Sequence, residues 1–177
     1  EQMIITARED WDSFETSWNF ERSSLLLDQL KPAEIDLRAH AASVSSRWAT
    51  FASSQQTRER ENNQMIAEAY GLEHEVDVDV ALHRVSLARN VAFRYGPGKK
   101  TEEYLELENR DSISELVSYA VGCMFGRYSL DKPGLILAGQ AATVQDYLAK
   151  VSVPSFIPDA DNVLPIVDGD WFEDDIV

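Results

Sequence analysis

Five basic residues stand between positions 84 and 100 without an acid among them: Arg84, Arg89, Arg94, Lys99 and Lys100. The chain as a whole carries 16 Lys+Arg against 31 Asp+Glu, a net charge of −15. A stretch of this kind is where such a protein would meet a phosphate backbone. A five-residue step places the three arginines roughly 140° apart around a helix, and on alternating faces of a strand. They therefore line up on one surface only in an irregular segment; otherwise they serve different partners. The competing use is pairing with the chain's own acids, and the acid excess gives that use the greater weight.

Other chemistry-bearing residues are sparse. His40, His74 and His83 have no Cys, His or carboxylate partner at a zinc spacing, so no metal ligand is assigned. Cys123 lies in an apolar stretch and reads as a buried thiol. Gly96-Pro97-Gly98-Lys99-Lys100 lacks the spacing and the Ser/Thr of a phosphate loop and reads as a turn. Asp159, Asp161, Asp168, Asp170, Glu173, Asp174 and Asp175 form an acidic run, but Val163 stands where an EF-hand loop needs an oxygen ligand. A solvated acidic surface is the better reading. No Glu-x-Lys or Asp-x-Lys follows Pro158-Asp159 to complete a metal-nuclease site.

The elements that must position these residues are helical. Thr6 and Glu9 fit a capping box, and Trp11, Phe14 and Trp18 follow on one helical stripe suited to core packing. From about 33 to 70 the chain has no Gly or Pro, with Pro32 at the start and Gly71 as C-cap. Leu37, Ala41, Val44, Trp48, Phe51, Gln55, Arg58, Asn62, Met65 and Ala69 step by three and four, a heptad-like seam with a polar middle. One long helix is expected, or two broken near Ser53-Ser54, packed on a partner domain or back on the first helix. Residues 73–80 alternate Val with acids, as a strand or an extended linker does.

Ser112 and Glu115 form a second capping-box pattern, opening a buried helix over about 112–128 that ends before Asp131-Lys132-Pro133-Gly134. Gly122 and Gly126, four apart, would admit a close helical neighbour. A short strand is expected at 135–138, a short helix at 143–150, and an edge strand at 163–167 around Pro165. The fold class is mainly α, with minor β. Its expected parts are a helical hairpin or long helix (1–72), an acidic then basic linker (73–110), and a small α/β-containing part (111–177).

Composition narrows function. The charge excludes polybasic wrapping of nucleic acid. The apolar runs are too short to span a membrane. A single cysteine forms no internal disulfide, which fits a reducing, cytoplasmic setting. The chain begins at Glu1 with no signal-peptide pattern, and Trp171 to Val177 reads as the first turn of an interrupted helix. A piece of a longer protein is expected.

Several stretches carry a family resemblance. Glu61-Asn62-Asn63-Gln64-Met65-Ile66-Ala67-Glu68-Ala69-Tyr70-Gly71-Leu72 resembles a helix of restriction-modification methyltransferases that ends in Tyr-Gly-Leu. Residues 89–96 (Arg-Asn-Val-Ala-Phe-Arg-Tyr-Gly), 118–131 and 165–175 resemble PglX-type adenine-specific DNA methyltransferases of BREX phage-defence systems. The resemblance covers nearly the whole chain. It implies methyl transfer from S-adenosylmethionine to the exocyclic amine of adenine, which needs an Asn/Asp-Pro-Pro-Tyr/Phe loop for the flipped base. No two prolines are adjacent here, and no Phe-x-Gly-x-Gly is present. The resemblance therefore places this segment C-terminal to the catalytic module, with no catalytic and no cofactor-binding residue, inactive alone. Its expected partners are the other domains of the same chain, DNA through the parent, and other defence-system subunits. Its role is to brace catalysis against target recognition, or else to contact DNA through the basic stretch.

Overall fold

A computed structural model describes residues 1–26 and 37–160. Five α-helices account for its regular structure: α1 (Gln2–Asp12), α2 (Leu37–Tyr70), α3 (Val91–Arg94), α4 (Thr101–Met124) and α5 (Val144–Lys150), with a 3-10 turn at Leu82–Arg84. The chain is mainly α. Among the described residues there is no strand. Pro32, the edge strand at 163–167, the acids from Asp161 to Asp175 and the terminal helical turn lie outside the described residues.

The long helix α2 runs unbroken for 34 residues, so the break near Ser53-Ser54 does not occur. Ser53 and Thr57 instead donate their hydroxyls back to the Ala49 and Ser53 carbonyls, satisfying themselves within the helix. Gly71 closes it at φ +67, with the Leu72 N–H reaching back to the Ala67 carbonyl at 2.9 Å. Beyond it the alternating 73–80 segment forms no ladder. It runs along α2, held by Gln56 Nε2 on the Val80 carbonyl (2.7 Å) and Asn63 Nδ2 on that of Val78 (3.4 Å). Side-chain amides of a helix thus take the place of a partner strand.

Three expectations at the N-terminus fail together. The first helix starts at Gln2, so Thr6 is a buried interior residue and not a cap. It stops at Asp12 because Ser13 and Phe14 turn back on the Asp10 and Trp11 carbonyls. Trp18 therefore leaves the helical stripe and is 95% exposed, and Trp11 is also exposed.

The second capping box is equally misplaced. α4 opens at Thr101, where the Glu103 carboxylate accepts the Lys100 N–H at 2.7 Å. Lysine has no acceptor, so only half a box forms. Ser112 falls in mid-helix, and the helix ends at Met124, well before Asp131. Nor is it buried throughout: Tyr119, Gly122 and Cys123 face inward while Ile113 and Val117 are exposed. The two glycines serve no helix–helix approach. A Cβ on Gly122 would lie 2.6 Å from the Tyr128 ring. Gly126, at φ +71, turns the chain out of the helix.

The core consists of small clusters. Phe20, Tyr119, Cys123 and Tyr128 form one, with Tyr119 and Tyr128 stacked at 5.2 Å. Leu25, Val44 and Trp48 form a second against Leu116. Ile136, Tyr147 and Val151 form a third. In that last part, residues 135–138 are irregular rather than a strand. The Ile136 N–H bonds the Arg127 carbonyl, and Lys150 caps the Ile136 carbonyl. The short helix α5 follows expectation, with Thr143 and Asp146 making a reciprocal box.

Candidate functional site

The basic stretch enters through a carboxylate. Asp10, buried near the end of α1, accepts the backbone N–H groups of Ala88 and Arg89, each at 2.7 Å. This fixes where Arg89 begins. Its guanidinium then satisfies three partners: Nε donates to Ser13 Oγ, Nη2 to the Ser13 carbonyl, and Nη1 to Glu115 Oε2 at 2.8 Å. The same group lies over the Phe14 ring, 3.8 Å from its centroid, and 5.9 Å from that of Trp48. A planar cation with five donors fits this setting, because it stacks and bridges at once.

Asn90 continues the construction. Its side-chain oxygen accepts the Ala92 N–H and caps α3, while Nδ2 donates to the Leu82 and Val85 carbonyls of the 3-10 turn. One buried amide thereby joins two elements. Four residues on, Arg94 Nη2 meets Asp111 at 2.9 Å, and Nη1 lies 3.6 Å from Glu115. Arg94 also stands over Phe14 and Tyr95. The Tyr95 hydroxyl donates to Asp111 at 2.9 Å.

The electrostatics follow from burial. Desolvation raises the Asp10 carboxyl above its usual value, against the two N–H bonds and the two arginines, which pull it down. Burial first, and the bond to Asp111 second, push the Tyr95 phenol far up, so it acts as a neutral donor. Cys123 is pushed up to about 11 by burial and is a thiol at neutral pH.

Of the five basic residues, Arg89 and Arg94 are thus brought together, sharing Glu115 and Phe14. Arg84 lies apart, in a groove with Arg60, Asp79 and His83. Lys99 turns its amine onto the Tyr95 carbonyl, and Lys100 is exposed at the head of α4. The sequence assigns no role to Asp10, Ser13 or Asn90, and assigns others to Phe14 and Glu115, in a core stripe and a capping box. Asn90 alone had a local signal, as an Asn just before a helical tetrapeptide.

Among the described residues, no three His, Cys, Asp or Glu side chains converge as metal ligands. No helix among them is long and apolar enough to cross a membrane. Gly71 and Gly126 end helices, and Gly96 and Gly98 make the turn before α4; none follows a strand.

No family model matches the chain. It is 32% identical to an adenine-specific methyltransferase named BrxX from Escherichia coli O9:H4 (strain HS), over 98% of this chain and 14% of that protein. It is 31% identical to an adenine-specific methyltransferase named PglX from Lacticaseibacillus casei (strain Zhang), over 99% of this chain and 13% of that protein. The chain thus spans about a seventh of the length of the relatives it matches. Arg89, Asn90, Arg94 and Tyr95 of the 89–96 motif lie in this site, and the similarity runs almost from end to end of this chain. The chain is similar, over almost all of its own length, to one segment of the BrxX and PglX adenine-specific methyltransferases, consistent with a piece of a PglX-type protein.

Proposed function

We propose that this segment is a non-catalytic, architectural part of a DNA adenine methyltransferase, bracing the portion that carries catalysis against the portion that recognises the target. The parent would use S-adenosylmethionine and act in the cytoplasm in phage defence, with other subunits of that system as partners. The observation that carries the reading is the pairing of the buried Arg89 and the partly exposed Arg94 with the chain's own acids. The centre of the basic stretch is spent on Glu115, Asp111 and Phe14, tying α1, α3 and α4 into one frame. A frame of this kind transmits position; it offers no group poised for methyl transfer.

Ile113 and Val117 are exposed on α4 one turn apart, a face suited to another domain of the parent. In a full-length methyltransferase, Ile113→Glu with Val117→Glu is expected to lower adenine methylation at least about tenfold, the loss of two buried apolar contacts. Calorimetry on the 177-residue chain is expected to show no binding of S-adenosylmethionine; micromolar binding would overturn the reading.

A second reading has its own observation. Arg84, Lys99 and Lys100 stand exposed at the two ends of the stretch. If they contact DNA, anisotropy of a labelled duplex will show binding that weakens with salt, with a slope of about 0.9 per phosphate contact. Changing all three to Glu would then abolish it. No binding at low salt leaves the bracing role alone.

A further inference from the structure

α2 carries one seam along its length but is covered along only half of it. His40, Val44, Trp48, Ala52 and Gln55 are buried, and Val44 and Trp48 pack on Leu25 and Leu116. The same helical face continues through Asn62, Met65, Ile66 and Ala69, at the same three- and four-residue steps. There it lies open: Met65 is 63% exposed, Ile66 51% and Tyr70 77%. The extended segment after Gly71 does not cover it, because Gln56 and Asn63 hold that segment on a different side of the helix. Glu61 and Glu68 border Met65 at one turn before and one turn after. Between positions 58 and 79 seven acids stand against two arginines, and Arg60 is already paired with Asp79.

We infer that the open half of the α2 seam docks a basic amphipathic protein segment, with apolar side chains on Met65, Ile66 and Tyr70 and Lys or Arg opposite Glu61 and Glu68. Two features select this occupant. The open seam is continuous with a face that already buries apolar side chains in the first half of the helix. Its acidic border repels both a nucleic acid and a second copy of a chain of net charge −15.

The test uses the full 177-residue chain and two fluorescent 20-residue helical peptides that share a Leu seam, one flanked by Lys and one by Glu. The Lys peptide is expected to bind, more weakly as salt rises, and the Glu peptide is not. Met65→Glu with Ile66→Glu, both exposed and so harmless to folding, is expected to weaken binding about tenfold. Glu61→Lys with Glu68→Lys should weaken it as well. Equal binding of both peptides, or binding lost through Ile113→Glu and not through the α2 pair, overturns the inference. So does a concentration-dependent dimer in sedimentation that Met65→Glu dissolves.

Discussion

Asp10 shows how one side chain can fix a distant loop. Its carboxylate holds two consecutive N–H groups almost 80 positions away, that of Arg89 buried and that of Ala88 half-buried. Asp10→Ala leaves one buried and one half-buried donor without this partner and is expected to cost about 2–4 kcal/mol, since one buried donor costs roughly 1–3 kcal/mol and the half-buried one less. Urea denaturation will measure it. Asp10→Asn keeps an acceptor for one N–H and should cost about half as much. A loss equal to that of Ala would mean that the negative charge facing Arg89 matters more than the acceptors. None of this was legible beforehand. The basic residues were visible as a stretch, and their use by the chain's own acids was the weightier of two readings. Which acids, and which ring, depends on contacts 26 to 79 residues apart, and no local pattern encodes those.

At the scale of elements, what was legible was local. α5 was expected at 143–150, where Thr143 and Asp146 form its cap, and α2 was expected from its freedom from Gly and Pro and its Gly71 stop. The starts of α1 and α4 were missed. The Thr6 and Ser112 patterns satisfy the capping rule, but the helix had already begun upstream and needed no cap there. Gly122 was noticed for the wrong neighbour. Its missing side chain makes room for Tyr128, which returns after the Gly126 turn to stack on Tyr119. Gly122→Ala gains up to about 1 kcal/mol of helix propensity. It also drives a methyl into the Tyr128 ring, which is buried and held by its stacking on Tyr119. A net loss of about 1–2 kcal/mol is expected from this overpacking, read as a lower denaturation midpoint.

The whole molecule is acidic, and its response to solution conditions follows. With a net charge of −15, self-repulsion opposes the compact state, so raising salt from low to moderate concentration should raise Tm. The pH dependence at the alkaline end has a definite sign. Cys123 sits at about 11 in the folded chain against an ordinary 9.0, and burial raises Tyr119 and Tyr128 in the same direction. The unfolded chain therefore loses these protons first. The stability they contribute is full below pH 9 and is lost as pH rises through 11. Tm by circular dichroism should hold steady near neutrality and fall across that window. In Cys123→Ala the fall should be shallower. A Tm that rises from pH 9 to 11 would contradict the buried thiol.

The continuity of α2 has a geometric consequence. A helix of 34 residues is a rod about 50 Å long, and its two halves share one rotational phase. Whatever meets Met65 and Ile66 is thereby oriented with respect to whatever is packed at Val44 and Trp48. Adding one residue between Gln56 and Asn62 would swing the outer half by about 100°, turning its apolar side chains toward a new direction. Adding seven would restore the phase to within about 20° while moving the tip outward by about 10 Å. A protein that reads angle will tolerate the second change and not the first. A protein that reads distance will reject both.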